Sequence, residues 1–274
     1  MDIADSTRIK YDRLMKNMKH LEDFSDREAT MEFMEEQTVQ MRRSYLLALV
    51  NHLKCIDDRE DDYKYYRKIC RDICLEDSLN RVKRAPTERE KSSYISWSEV
   101  LRIRSIREGL KDRSNGDYMM YVIVCLYTYI PPQRGQVYYN CYIDKDVEGS
   151  NLIDLNVGKL FVRCHKTSNA YDTITINLPT ELIEVLIEYK PKCINGRLLS
   201  TSTGRAVSNV SFNGMMERIF GSGISTNMLR KIYVTNMLAD DVNMDIRKDI
   251  AKKMGHSVST QALIYNKIGI KKEA

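Results

Sequence analysis

The spacing of apolar positions changes part-way along the chain. Up to Pro86 they recur every three or four residues, the spacing of one helix face. Residues 6–23 carry Ile9, Leu14, Met18 and Leu21 in that pattern, with Ser6 as the expected N-cap. The acidic, Met-rich stretch 26–37 is predicted to be helical as well. The clearest stripe runs from Val39 to Ile56 through Met41, Tyr45, Leu46, Leu49 and Leu53. A further helix is expected from about Asp61, turning Tyr65, Ile69, Ile73 and Leu75 toward a core. Strand-like alternation is missing here and Gly and Pro are nearly so, which predicts an all-helical bundle over 1–85.

The periodicity lapses from Arg81 to Ser93, around Pro86, so 86–95 is the expected linker and 96–274 a second domain. Ser96 should cap a helix carrying Trp97, the only tryptophan. Tyr118 to Ile130 is apolar almost throughout and stops at Pro131-Pro132. Its length and the prolines predict a buried helix rather than a strand, with Arg134 just past its end. Asn151–Leu155 reads as a short strand ending at a turn, and a period of two then appears in Lys159–Cys164 and Thr173–Leu178. The last two flank a hairpin loop, His165 to Asp172, that contains Lys166.

Helical spacing returns after Pro179 (Leu182, Val185, Leu186, Tyr189) and again from Val210 to Ile219. It resumes near Ser225 or Thr226, where Met228, Leu229, Ile232 and Met237 form a stripe and Arg230 falls in the first turns. Ile246, Ile250 and Met254 lie four apart, Gly255 reads as a helix stop, and His256 sits on the exit. Ser257 or Ser259 should cap a last short helix bearing Leu263, Ile264 and Tyr265. The expected fold class is mainly α with a small β-sheet: an N-terminal helical bundle, then a mixed α+β domain.

Composition narrows the classes. A chain of 274 residues has room for two domains. With 43% hydrophobic and 30% charged residues it is neither disordered nor membrane-spanning, and no apolar run nears the ~20 residues of a bilayer span. The first residues lack the pattern of a signal peptide. The seven cysteines are odd in number, and Cys70 and Cys74 have no His or second Cys pair to complete a zinc site. Reduced thiols in an intracellular protein are expected. A net charge of +5 says little about nucleic acid until its location is noted. Between Arg81 and Arg113, Lys and Arg outnumber Asp and Glu by ten to five, which is the whole excess of the chain. A basic strap along a phosphate backbone fits that placement, and a solvated linker fits the charge equally well. Arg81, Lys83, Arg84 and Lys91 are the candidate DNA contacts.

The candidate chemistry lies mostly in the last fifth. An arginine fork suits a phosphate, a histidine can hydrogen-bond one of its oxygens, and a tyrosine hydroxyl can attack phosphorus. Singly, each residue has a plainer reading: Arg134 as a loop arginine, Lys166 as a solvated hairpin lysine, Tyr265 as one packed ring among 17 tyrosines. Their order is more specific. Arg134 after a buried helix, Lys166 in a hairpin, Leu229-Arg230 opening a helix, Gly255-His256-Ser257, and Tyr265 nine residues past His256 resemble the tyrosine recombinase (phage integrase) family.

The resemblance covers about residues 94–270, and Met254-Gly255-His256-Ser257 with the spacing to Tyr265 is its most specific part. The N-terminal helices look like the core-binding domain of that family. Pro131-Pro132-Gln133-Arg134 and Lys166-Thr167-Ser168 are similar to recombinases borne by large DNA viruses and mobile elements. The chain departs from the family pattern at Asn227, where a histidine is usual, at Lys231, often histidine, and at Val137, usually acidic. Asparagine still donates a hydrogen bond but carries no proton.

The resemblance implies double-stranded DNA as partner, a homotetramer on that DNA, no membrane and no cofactor. Arg134 and Arg230 would clamp the nonbridging oxygens, with His256 and Asn227 as further donors. Tyr265 would attack to give a 3′-phosphotyrosine, and Lys166 would protonate the leaving 5′-oxygen. No carboxylate cluster has metal-ligand spacing, so no metal is expected. The reading is a site-specific DNA recombinase or integrase. Type IB topoisomerase-like relaxation would use the same chemistry, and a non-enzymatic DNA-binding protein with a degenerate site is suggested by Asn227 and Val137.

Overall fold

The computed structural model describes residues 5–21, 24–83, 86–164, 173–238 and 242–262. Its internal contacts separate two units, 1–84 and 85–274.

The first unit holds α1 (Asp5–Asn17), α2 (Arg27–Glu35), α3 (Val39–Leu53) and α4 (Glu60–Lys83). Asp26 and Thr38 cap α2 and α3 by accepting from Ala29 N at 3.0 Å and Met41 N at 3.3 Å. Leu14, Met18, Met34, Leu46, Leu49, Leu53 and Tyr66 are the core. Arg27 and Arg59 both pair with Asp62 at 2.8 Å, joining α2 to α4. Helix α1 starts at Asp5, one residue ahead of the expected cap Ser6. Helix α3 stops at Leu53, leaving Ile56 beyond it and partly exposed. On α4 the buried row is Tyr66 and Cys70, flanked by Tyr65, Ile69 and Ile73, while Leu75 is 61% exposed. Leu75 follows Tyr66 by nine residues, about 180° round a helix, so both cannot face one core.

The expected linker, 86–95, falls within the second unit and carries α5 (Glu88–Ser92). Then come α6 (Trp97–Glu108), α7 (Asn115–Tyr129) and α8 (Gly135–Tyr139). Ser96 caps α6 through Glu99 N at 3.2 Å. Helix α7 buries Tyr121 through Tyr127 without a break, the mark of a helix at the centre of a core, and ends where Pro131-Pro132 forbids another turn.

The sheet follows: β1 (Cys141–Ile143), β2 (Asn151–Asp154), β3 (Lys159–Val162) and β4 (Ile174–Asn177), in that spatial order. Strands β2, β3 and β4 are antiparallel neighbours, with Leu160 opposite Ile176. Strand β1 runs parallel to β2, pairing Cys141 with Asn151. It went unread because its three residues are all buried and show no alternation.

Four helices complete the unit with a short one at the end: α9 (Thr180–Tyr189), α10 (Asn209–Phe220), α11 (Thr226–Met237), α12 (Met244–Lys253) and α13 (Val258–Thr260). Tyr233, Val234 and Leu238 of α11 and its exit pack on Ile250 and Met254, with Trp97 edge-on to Tyr233 at 5.6 Å. Met237 and Ile246, expected in the core stripes, are 39% and 52% exposed at the outer edges of their helices. No helix of the described residues is long and apolar enough to cross a membrane.

Candidate active site

Arg230 is the organising side chain. Ser225 caps α11 by accepting from Met228 N at 3.3 Å, which places Arg230 one turn in, where it has no solvent exposure. Its Nη1 donates to Pro132 O at 2.7 Å and its Nη2 to Met254 O at 2.9 Å. One guanidinium thus joins the loop after α7 to the end of α12. The second contact follows from how α12 ends. Gly255 takes φ +64°, His256 N reaches back to Ala251 O at 3.1 Å and Gly255 N to Lys252 O at 3.0 Å. This reversal leaves the carbonyls of Lys253 and Met254 facing outward at the negative end of the helix dipole, where a cation is stabilised. Gln133, 2% exposed, takes the other one: its Nε2 donates to Lys253 O at 2.8 Å and to Pro131 O at 2.7 Å.

The same reversal aims His256 inward. Its Nδ1 lies 3.1 Å from Arg230 Nη2, and the ring is 6% exposed. Burial pushes its pKa down, and the charges of Arg230 and Arg134 push the same way. The Met254 carbonyl opposes them, and the balance is about 4. His256 is therefore a neutral imidazole at ordinary pH. Arg134, half-buried, opens α8, and its charge reaches the imidazole. It lines a small pocket with Gln136, Ile174 and Gly255, so α8, the start of β4 and the exit of α12 meet there. Gly135 permits this approach: a Cβ there would lie 2.8 Å from two ring atoms of Phe212 on α10.

Asn227 is exposed on the first turn of α11, three residues before Arg230 and hence on the same side of the helix. Val137 is a core residue, 2% exposed. Lys166 and Tyr265 lie outside the described residues. So do Arg84 and the rest of the hairpin loop. Arg81 and Lys83 close α4. Lys91 is engaged with Glu88 at 2.7 Å, an exposed pair of the kind a phosphate can displace. Further along the basic stretch, Arg102 pairs with Glu99 at 2.7 Å, Lys111 with Glu188 at 3.0 Å, and Arg104 lies 4.3 Å over the Tyr129 ring. Arg104 and Lys111 thus join elements of the second unit to one another.

No family model matches the chain, and no curated protein matches it. A solved structure described as the crystal structure of XerA recombinase is similar to it at 16% identity, over 96% of this chain and 88% of that one, with a TM-score of 0.48. The reading of function stands on the site's own residues.

Three residues of the site escaped the sequence reading. Gln133 stood in the Pro-Pro-Gln-Arg run without a role of its own. Asn151, fully buried, looked like the first residue of a strand. Its Nδ2 donates to Val137 O at 3.0 Å and Cys164 O at 3.3 Å, and its Oδ1 accepts from Arg163 N and Cys164 N, both at 2.8 Å. All four hydrogen-bonding positions of the amide are filled, and the end of β3 is fixed to the helix behind Arg134. No local pattern announces such a residue. Glu90 is the third, and its signal was present: Thr87 and Glu90 have capping-box spacing, in a stretch read as linker because of Pro86.

Proposed function

We propose that this chain is a site-specific DNA recombinase that cuts and rejoins strands through a 3′-phosphotyrosyl intermediate. The observation that carries the reading is the contact of Arg230 with His256 at 3.1 Å within reach of the Arg134 charge, three residues spread over 122 positions of sequence. Two arginines and a neutral histidine make an anion site without a general base. That set suits the charge that builds on the oxygens of a five-coordinate phosphorus. Arg230 is fixed by protein carbonyls before any DNA arrives, so the stabilising charge needs no reorganisation at the moment of reaction.

Asn227, one turn ahead on α11, supplies a neutral amide donor where a proton carrier is not required. Tyr265, which follows His256 by nine residues, is the nucleophile: its hydroxyl proton passes to water and its oxygen bonds phosphorus as the bond to the 5′-oxygen breaks. Lys166 gives that leaving oxygen a proton, a step worth ~10²–10⁴ in rate. Rejoining reverses these transfers. Double-stranded DNA is the substrate, and a homotetramer on that DNA is the assembly this exchange calls for.

Incubating the full chain with a library of nicked duplexes, then isolating and sequencing covalent protein–DNA species, tests the reading. Adducts enriched in one sequence support it. Adducts without sequence preference favour a relaxing topoisomerase, and no adduct on any duplex favours a DNA-binding protein without the activity.

A further inference from the structure

Glu90 belongs to the segment ahead of α6, yet it contacts the helix that carries Arg230. Thr87 and Glu90 form a closed box at the start of α5. Glu90 N donates to Thr87 Oγ1 at 3.2 Å, and Glu90 Oε2 accepts from Thr87 N at 2.9 Å and from Thr87 Oγ1 at 3.0 Å. The other carboxylate oxygen, Oε1, accepts from Lys231 Nζ. The side chains of Glu90 and Lys231 are only 24% and 15% exposed, so water screens this pair far less than it screens the other ion pairs of the segment.

Lys231 follows Arg230 and stands about 100° round α11 from it. Tyr233, two residues on, meets the edge of Trp97. Arg230 itself is hooked to the carbonyls of Pro132 and Met254. These three contacts leave α11 little freedom to turn about its axis, and the Lys231 contact is the one made by a charge held in a fixed box.

We propose that Glu90 is a positioning residue: by holding Lys231 it sets the roll of α11, and so where Arg230 and Asn227 stand when a DNA phosphate arrives. The proposal rests on the recombinase reading of the same site. The pair also neutralises a lysine that would otherwise place a second mobile cation beside the arginine. Burial would raise the Glu90 pKa, but the bonds from Lys231 and Thr87 bring it down to about 2, so the carboxylate stays charged across the working range.

A double-mutant cycle tests it on the full chain, with Glu90→Gln, Lys231→Gln and the two combined. Glutamine keeps the capping box while removing the charge pair. Three quantities are read: covalent capture rate at saturating nicked duplex, duplex affinity, and hydrogen exchange of the α11 amides. Glu90→Gln is expected to slow capture about tenfold, the scale of a small misplacement of a catalytic group. Duplex affinity should hold within about twofold. The double variant should be no slower than either single one, since both remove one interaction, and Lys231→Arg should keep most of the rate. Capture at the wild-type rate in Glu90→Gln, independent multiplication of the two effects, or a loss confined to affinity would each overturn the proposal. Were the wild-type chain to capture nothing, the recombinase reading would fall and the exchange data would decide alone. Faster exchange in α11 that is non-additive across the cycle upholds the latch, and unchanged exchange removes it.

Discussion

Arg230 and His256 meet inside the second unit, Nη2 of the arginine lying 3.1 Å from Nδ1 of the imidazole. A guanidinium offers only donors and positive charge, so beside it the imidazole is held in its neutral form. The arginine thus fixes both the place and the charge state of the histidine.

The pH dependence follows from that setting. Burial and the two arginine charges hold the His256 pKa near 4, below its ordinary 6.5. Between these values the unfolded chain binds a proton that the folded chain does not, so stability rises with pH across the window. The contribution of His256 is fully present above about pH 6.5 and lost as pH falls toward 4. Urea titrations followed by Trp97 fluorescence should show this slope, and His256→Gln should reduce it by about one proton. The capture rate should show no step near pH 6.5 from this residue. A step there that disappears in His256→Gln would mean that the imidazolium is the working form.

Arg230→Lys tests the fork. A lysine keeps the charge but cannot span the Pro132 and Met254 carbonyls. Capture should fall ~10²–10³-fold, the usual effect of losing a preorganised donor at a developing charge. Stability should also drop by about 1–3 kcal/mol for carbonyls left without a donor. Single-turnover rates and urea midpoints separate the two effects.

The fold was legible where periodicity is strong, and the site only through motif order. Helices α3 and α11 could be read from their stripes, and α7 from an unbroken apolar run stopped by two prolines. Strand β1 and helix α5 could not, being too short for a period to show. The carbonyl contacts of Arg230 were out of reach for another reason. They join residues 98 and 24 positions apart through backbone oxygens, which every residue possesses and no sequence pattern marks. Asn151 was hidden in the same way, since its four partners are all main-chain atoms.

Asn151→Asp is nearly isosteric and removes only the donors. A carboxylate would then face the carbonyls of Val137 and Cys164, at a position with no exposure. A loss of about 3 kcal/mol is expected in urea titrations, above the neutral range because the group is charged. Capture should decline at pH 7 and recover in part at lower pH, where the acid regains a proton to donate.

Gly135→Ala would place a methyl group 2.8 Å from the Phe212 ring, at the residue after Arg134. The expected cost is about 1–3 kcal/mol. Adding Phe212→Leu should return part of both stability and capture. A melting curve equal to that of the wild type would show that α8 and α10 are less tightly apposed than this.

The central claim is a covalent bond between Tyr265 and DNA. The direct measurement is capture of a nicked duplex that cannot be rejoined, by the wild-type chain and by Tyr265→Phe, scored as protein–DNA adduct surviving denaturant. The account predicts an adduct with the wild type and none with Tyr265→Phe, at equal affinity for the duplex. An adduct formed by Tyr265→Phe, or none formed by the wild type on any duplex, would contradict it.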